Sequence, residues 1–283
     1  LNDAVVGIHQ PDHKNPINDY LIGGESKARL RIGLEEIIAN KISYLSIKEQ
    51  NQNRPAERFE NNILAINIEE NLPFSLTPDQ KKSYQEIAED MASGSPMLRL
   101  LQGDVGSGKT IVAFLSIIHV VENGFQGALM APTEILAYQH YTFFKNYEKL
   151  LGIRICLLTS KMQKHIKINS INDIKMGKIN IVIGTHAIIQ SNIKFKNLRL
   201  AIIDEQHRFG VQQRLYLAEK GINTNILLMS ATPIPRTLAL AQYGEIEQVI
   251  LKERPAFQKP IITKVSNVDK IKDIEILLKK NIS

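Results

Sequence analysis

The octapeptide Gly103-Asp104-Val105-Gly106-Ser107-Gly108-Lys109-Thr110 constrains the fold of this chain more than any other segment. It satisfies the pattern GxxxxGK[ST], in which glycines let the backbone wrap closely round phosphate oxygens and turn successive N–H groups toward negative charge. Such a cradle needs a strand running into it and a helix leaving it. Both are legible, because the apolar run 98–101 precedes the octapeptide and the apolar stretch 111–121 follows it. All eight residues are expected to line a nucleotide site, with Lys109 reaching the β- and γ-phosphates of ATP and Thr110 giving its hydroxyl to Mg²⁺.

From residue 72 onward short apolar runs recur at 98–102, 127–131, 153–158, 179–183, 198–203 and 226–229, several of them separated by helix-like stretches. Continuous apolar runs of strand length describe strands buried on both faces, so the expected class is α/β with a mainly parallel sheet flanked by helices. Upstream the texture is different. Residues 21–44 carry Leu30, Leu34, Ile37, Ile38 and Ile42 at helical spacing, after Pro11, Pro16, Gly23 and Gly24 and before the polar run 48–60. This predicts a helical connector over 1–70, with one amphipathic helix at its centre. The nucleotide-binding domain is expected over 71–265, and 266–283 reads as the truncated start of a second one, from a possible strand at 261–265 and a helix at 270–280. Because the first residue is Leu1 rather than methionine, the ends are expected to be those of a piece of a longer protein.

Three further segments supply what a phosphate cradle lacks. The run 200–203 ends in Asp204-Glu205; at the C-terminal end of a strand beside the cradle, Asp204 can hold Mg²⁺ through water while Glu205 polarises the attacking water. Taken alone, the pair also fits a solvated turn. Upstream, Phe74 can stack on adenine and Gln80 can pair with its N6 and N7, although Thr77-Pro78 reads equally as a plain helix start with Thr77 as the cap. Finally, Ser230-Ala231-Thr232-Pro233 follows the apolar run 226–229. Its hydroxyls can be coupled to the segment after Asp204 through His207, with Gln206 beside it, so that loss of the γ-phosphate is felt by a moving neighbour; taken alone, His207 also fits a surface or capping histidine.

Composition narrows the remaining classes. A single cysteine, Cys156, cannot form an internal disulfide; lying in an apolar run, it reads as a buried strand thiol and fits a reducing cytoplasm. No apolar stretch approaches the roughly 20 residues of a membrane span, and no signal-peptide pattern opens the chain. The seven histidines are scattered, which leaves Mg²⁺ as the expected metal. A net charge of +6 is compatible with a polyanionic partner, and Lys161, Lys164, Lys167, Lys175 and Lys178 either track phosphates or form a solvated face.

With these residues in hand, the chain resembles the superfamily 2 DNA helicases of the RecG type. The strings that carry the likeness are GDVGSGKT, APTEILAYQH from Ala131 to His140, GTHAIIQ from Gly184 to Gln190, DEQHRFGVQQR from Asp204 to Arg214 and MSATPIPRTLAL from Met229 to Leu240. The resemblance implies a RecA-like motor domain, with Lys109, Asp204, Glu205 and His207 as its catalytic residues. It also implies that Thr133, Gln139, Thr185 and His186 contact DNA phosphates without reading sequence. The parent activity it implies is ATP-dependent remodelling of forked or branched DNA, in replication-fork repair and recombination. The partner elements would be a second RecA-like domain bearing an arginine finger and a wedge domain, without which this piece would be inactive or very weak. Tyr138 departs from the charged or polar residue expected at its position. Related motors such as the transcription-repair coupling factor share the scheme. Two other readings remain open from the residues alone, a small-molecule P-loop kinase and a truncated module that holds ATP or DNA without turnover.

Overall fold

The computed structural model describes residues 2–10, 26–52, 59, 61, 63–205, 216, 217, 219–232 and 246–255. Helices α1 (Asn2–His9), α2 (Lys27–Gln52) and α3 (Ile63–Asn71) precede α4 (Pro78–Ala92) and the first strand, β1 (Leu98–Gly103). Then follow α5 (Lys109–Glu122), β2 (Gln126–Met130), α6 (Glu134–Lys145), the single turn α7 (Glu148–Leu151), β3 (Ile155–Leu158), α8 (Lys164–Lys175) and β4 (Ile181–Gly184). A 3-10 turn (His186–Ile189) leads toward β5 (Leu198–Ile203), β6 (Asn225–Ser230) and β7 (Glu247–Leu251).

The seven strands form one sheet in the order β3-β4-β2-β5-β6-β1-β7, and every pairing is parallel. The α/β class expected from the apolar runs is therefore the observed one. All six predicted strands are present, with ends shifted by a residue or two. The strand missed by inspection, β7, lies at the sheet edge, where Val249 and Leu251 point inward while Ile250 is half-exposed; one buried face leaves too weak a pattern in Glu247-Gln248-Val249-Ile250-Leu251.

Helix α5 explains why the domain holds together. Every residue from Ile111 to Val121 is buried, the signature of a helix enclosed on all sides. The sheet covers one side, and α3 and α4 cover another. Phe114 stacks against Phe144 of α6 at 4.5 Å between ring centroids, with Phe143 and Tyr147 completing the aromatic cluster. The opposite face of the sheet packs Leu100, Met130, Leu158, Val182 and Ile203 under α8 and the 3-10 turn. Cys156 is buried in β3, and burial raises its thiol pKa, as the strand-thiol reading expects.

Helix α3 straddles residue 70 and contributes Ala65 and Ile68, together with Phe59, to the α5 side of the core. His119 of α5 clamps this segment: its Nε2 lies 3.1 Å from the Phe59 carbonyl and its Nδ1 3.2 Å from the Tyr84 hydroxyl. The long upstream helix exists as α2, but its apolar positions do not face a core. Leu30, Leu34, Ile37, Ile38 and Ile42 are each 39–60% exposed; among the described residues α2 packs mainly against α1, with Gly7 beside Ala28. The expected strand at 261–265 and helix at 270–280 lie outside the described residues.

Candidate active site

In a parallel sheet the strand ends carrying the loops all lie along one edge. Here β5, β6 and β1 are neighbours, so Asp204-Glu205, Ser230 to Thr232 and the loop 103–110 emerge side by side. The sheet thus assembles segments that are distant in sequence.

The loop is shaped by glycine where the backbone demands it. Gly106 and Gly108 have φ of +82° and +89°, a region costly for a residue with a Cβ, and a Cβ on Gly108 would run into the Gln80 amide. Lys109 opens α5 and folds back over the loop, its Nζ donating to the Gly103 carbonyl at 2.7 Å and the Asp104 carbonyl at 3.1 Å. Burial lowers the Lys109 pKa, while the carboxylates of Asp204, Glu205 and Asp104 act in the opposite sense. The acidic pair therefore favours the charged form of the ammonium that bonds to the loop. Among the described residues, Ser107 Oγ is buried without a hydrogen-bond partner. A glycine-lined loop with an orphaned hydroxyl donor and a cation at a helix N-terminus fits a nucleotide polyphosphate.

Asp204 is 8% exposed and anchored twice, its N–H donating to the Met130 carbonyl at 2.9 Å and its Oδ2 accepting from His140 Nε2 at 2.8 Å. Glu205 follows with φ +49°. A non-glycine residue held in the left-handed region at a strand end is strained, and such strain concentrates at functional sites. Thr110 stands half-exposed at the start of α5. Thr110 and Asp204 are the residues that could take Mg²⁺, and their hard oxygens suit it.

Gln80 is engaged differently from expectation. Its Oε1 accepts the Thr77 N–H at 2.9 Å and its Nε2 donates to the Ser107 carbonyl at 2.8 Å. The Thr77 hydroxyl in turn accepts the Gln80 N–H, closing a capping box. The helix-start reading is the one observed: Gln80 completes the cap of α4 and also braces the phosphate loop, so pairing with adenine would require it to exchange these bonds. Phe74 is half-buried beside an open pocket of about 390 Å³ that Leu72, Leu76 and Lys81 also line. The segment after β7 closes over the same end. Asp79 accepts the N–H groups of Lys252 and Glu253, and Arg254 reaches Asp104 at 3.3 Å.

Ser230 is fully buried, and its hydroxyl lies 3.0 Å from the Thr232 carbonyl and 3.1 Å from the Thr232 hydroxyl. Gln102, unnoticed in the sequence, holds this turn by donating to the same Thr232 carbonyl at 3.0 Å. Gln206 and His207 lie outside the described residues.

Of the residues expected to meet DNA, Thr133 caps α6 and is exposed, as are Gln139 and His186. Thr185 differs. It is 2% exposed, and its hydroxyl is buried without a partner among the described residues. Lys161 pairs with Glu134 and Lys178 with Asp173, each through an exposed lysine side chain, which favours the solvated-face reading for those two lysines. His140 is the clearest residue missed. Sequence places it beside Gln139, but only the fold brings it to Asp204.

The DEAD/DEAH box helicase family model matches residues 77–241, more than half of the chain. The ATP-dependent DNA helicase RecG of Aquifex aeolicus is 46% identical over 239 residues, covering 83% of this chain and 30% of the relative. That of Thermotoga maritima is 42% identical over 275 residues, covering 97% and 34%. The chain thus spans about a third of the length of these relatives. Among solved structures, RecG bound to a three-way DNA junction superposes with a TM-score of 0.74 at 39% identity over 90% of this chain and 35% of that one. The DEAD-box helicase Mss116 bound to single-stranded RNA, 22% identical over 70% of this chain and 46% of its own, shares the fold with a TM-score of 0.53. With the phosphate loop, the acidic pair and the Ser230 turn on one sheet edge, the chain belongs to the DEAD/DEAH box helicases.

Proposed function

We propose that this chain is the ATP-binding half of a RecG-type DNA motor that remodels forked or branched DNA. The observation that carries the reading is the strand order, which brings the phosphate loop at the end of β1 and the Asp204-Glu205 pair at the end of β5 to one sheet edge, separated only by β6. ATP phosphates would lie against the loop 103–110, held by its N–H groups, the Ser107 hydroxyl and the Lys109 ammonium. Thr110 and Asp204 would hold Mg²⁺, which neutralises charge on the β- and γ-phosphates. Glu205 would orient and polarise the attacking water. The helix and turn bearing Thr133, Gln139 and His186 follow β2 and β4 on the same edge, so DNA would lie beside the nucleotide site, with a strand held by its phosphates. Ser230 and Thr232, with Gln206 and His207, would convey γ-phosphate loss. The parent's wedge domain and second RecA-like domain would supply branch recognition and the arginine finger.

Anisotropy titrations of labelled forked, duplex and single-stranded oligonucleotides, with and without a non-hydrolysable ATP analogue, test this reading. Forked DNA binding that changes with nucleotide supports it. Nucleotide binding with no DNA affinity in any form would favour a different P-loop class.

A further inference from the structure

We infer that His140 is a positioning residue for Asp204, tying the helix that faces DNA to the carboxylate that would hold the metal; the inference rests on the motor reading above. Three observations converge. First, His140 and Asp204 are both buried and joined by a 2.8 Å bond through Nε2 and Oδ2. A bond so shielded from water fixes the carboxylate's orientation more firmly than an exposed one could. Second, α6 is two-faced: Ala137, His140 and Phe144 turn inward, whereas Gln139 is exposed beside them. The same rigid turn of helix therefore presents one side chain to the proposed DNA surface and the next to Asp204. Third, Asp204 is fastened to this unit twice, because its N–H also bonds to Met130, the last residue of β2, three residues before the α6 cap Thr133. A shift of α6 against β5 must move or release the carboxylate.

The imidazole occupies one carboxylate oxygen and selects the rotamer in which the other can serve a metal or its water. Groups that orient metal ligands in this way alter metal affinity by roughly 10- to 100-fold when removed. His140 also gives DNA contact a mechanical route to the nucleotide site.

The test uses this chain and two variants. His140→Leu keeps much of the volume without a donor, and His140→Gln restores an N–H near the Nε2 position. Affinity for a fluorescent ATP analogue is measured in Mg²⁺ and in EDTA, and thermal melts confirm folding. The metal's advantage, the ratio of the two affinities, should fall about tenfold or more in His140→Leu and stay near wild type in His140→Gln. Equal ratios in a folded His140→Leu variant, or the same fall in both variants, would overturn the inference. Forked DNA is then added. If the wild-type chain binds it, the dependence of analogue affinity on DNA should weaken in His140→Leu and persist in His140→Gln. Absence of wild-type DNA binding would count against the motor reading, while the metal ratio would still decide the role of His140.

Discussion

Replacing Lys109 by alanine should separate nucleotide binding from folding. In the free protein the ammonium bonds to two loop carbonyls, at 2.7 and 3.1 Å. In the complex it would turn instead to a phosphate oxygen. At about 3 Å and an effective dielectric near 20, that attraction is roughly 5 kcal/mol. Giving up the two carbonyl bonds, at about 1.5 kcal/mol for the better and somewhat less for the longer, takes back close to half. The net contribution is about 2 to 3 kcal/mol, so the dissociation constant of an ATP analogue should rise roughly 30- to 150-fold. Stability should change much less. The loop loses two half-exposed bonds, but the desolvation that lowers the lysine pKa is relieved at the same time. A change within about 1 kcal/mol corresponds to a melting shift of roughly 2–4 °C in a domain of this size. Fluorescent-analogue titration beside a thermal melt reads both quantities. A folded variant that binds the analogue as tightly as wild type would refute the assignment of Lys109 to the phosphates.

Glu205→Gln in the longer protein should retain ATP binding and slow phosphate release by orders of magnitude, whereas Asp204→Asn should raise the Mg²⁺ requirement; steady-state phosphate release at varied Mg²⁺ distinguishes the two. Burial lowers the His119 pKa, against the Phe59 carbonyl and the Glu122 charge, which act to raise it. The unfolded chain, with a histidine value near 6.5, then takes up the proton first. The clamp's contribution is complete above about pH 6.5 and is lost as the pH falls below that value through the folded one. Melting temperatures from pH 7.5 to 5 should therefore fall more steeply in wild type than in His119→Gln, which keeps an amide beside the Phe59 carbonyl and the Tyr84 hydroxyl. Phe144→Ala should cost about 3–5 kcal/mol in urea unfolding, since it empties a fully buried site against Phe114.

The parts of this molecule that were legible in sequence are those with a local physical signature. The phosphate loop shows itself by glycines that only a close backbone approach requires, and the central strands by apolar runs that only two-sided burial produces. Asp204 and Glu205 were visible because a strand ends on them. Long-range geometry was not. His140 acquires meaning only when the fold brings α6 to the end of β5, and Gln102 only when β1 and β6 are in register. Gln80 looked like either a base reader or part of a helix start; the fold gives its amide to the phosphate loop and the cap together. Thr185 fits a DNA-binding string, and its burial at the end of β4 is not visible in that string. The expected helix forms as α2, but over its full span the apolar residues do not gather on one face, so the spacing of the five singled out did not extend to an amphipathic helix.

The central claim is that this chain supplies one wall of a two-walled ATPase. The measurement that tests it most directly is phosphate release by the 283-residue chain with and without forked DNA, before and after adding the C-terminal motor domain of a RecG relative in trans. Lys109, Thr110, Asp204 and Glu205 can neutralise the ground-state phosphates and metal, whereas an arginine finger contributes roughly 10³ to 10⁵ in rate where it operates. The chain alone should show little turnover, and DNA-stimulated turnover should appear once the second domain is present. Vigorous DNA-stimulated phosphate release by the isolated chain would contradict it.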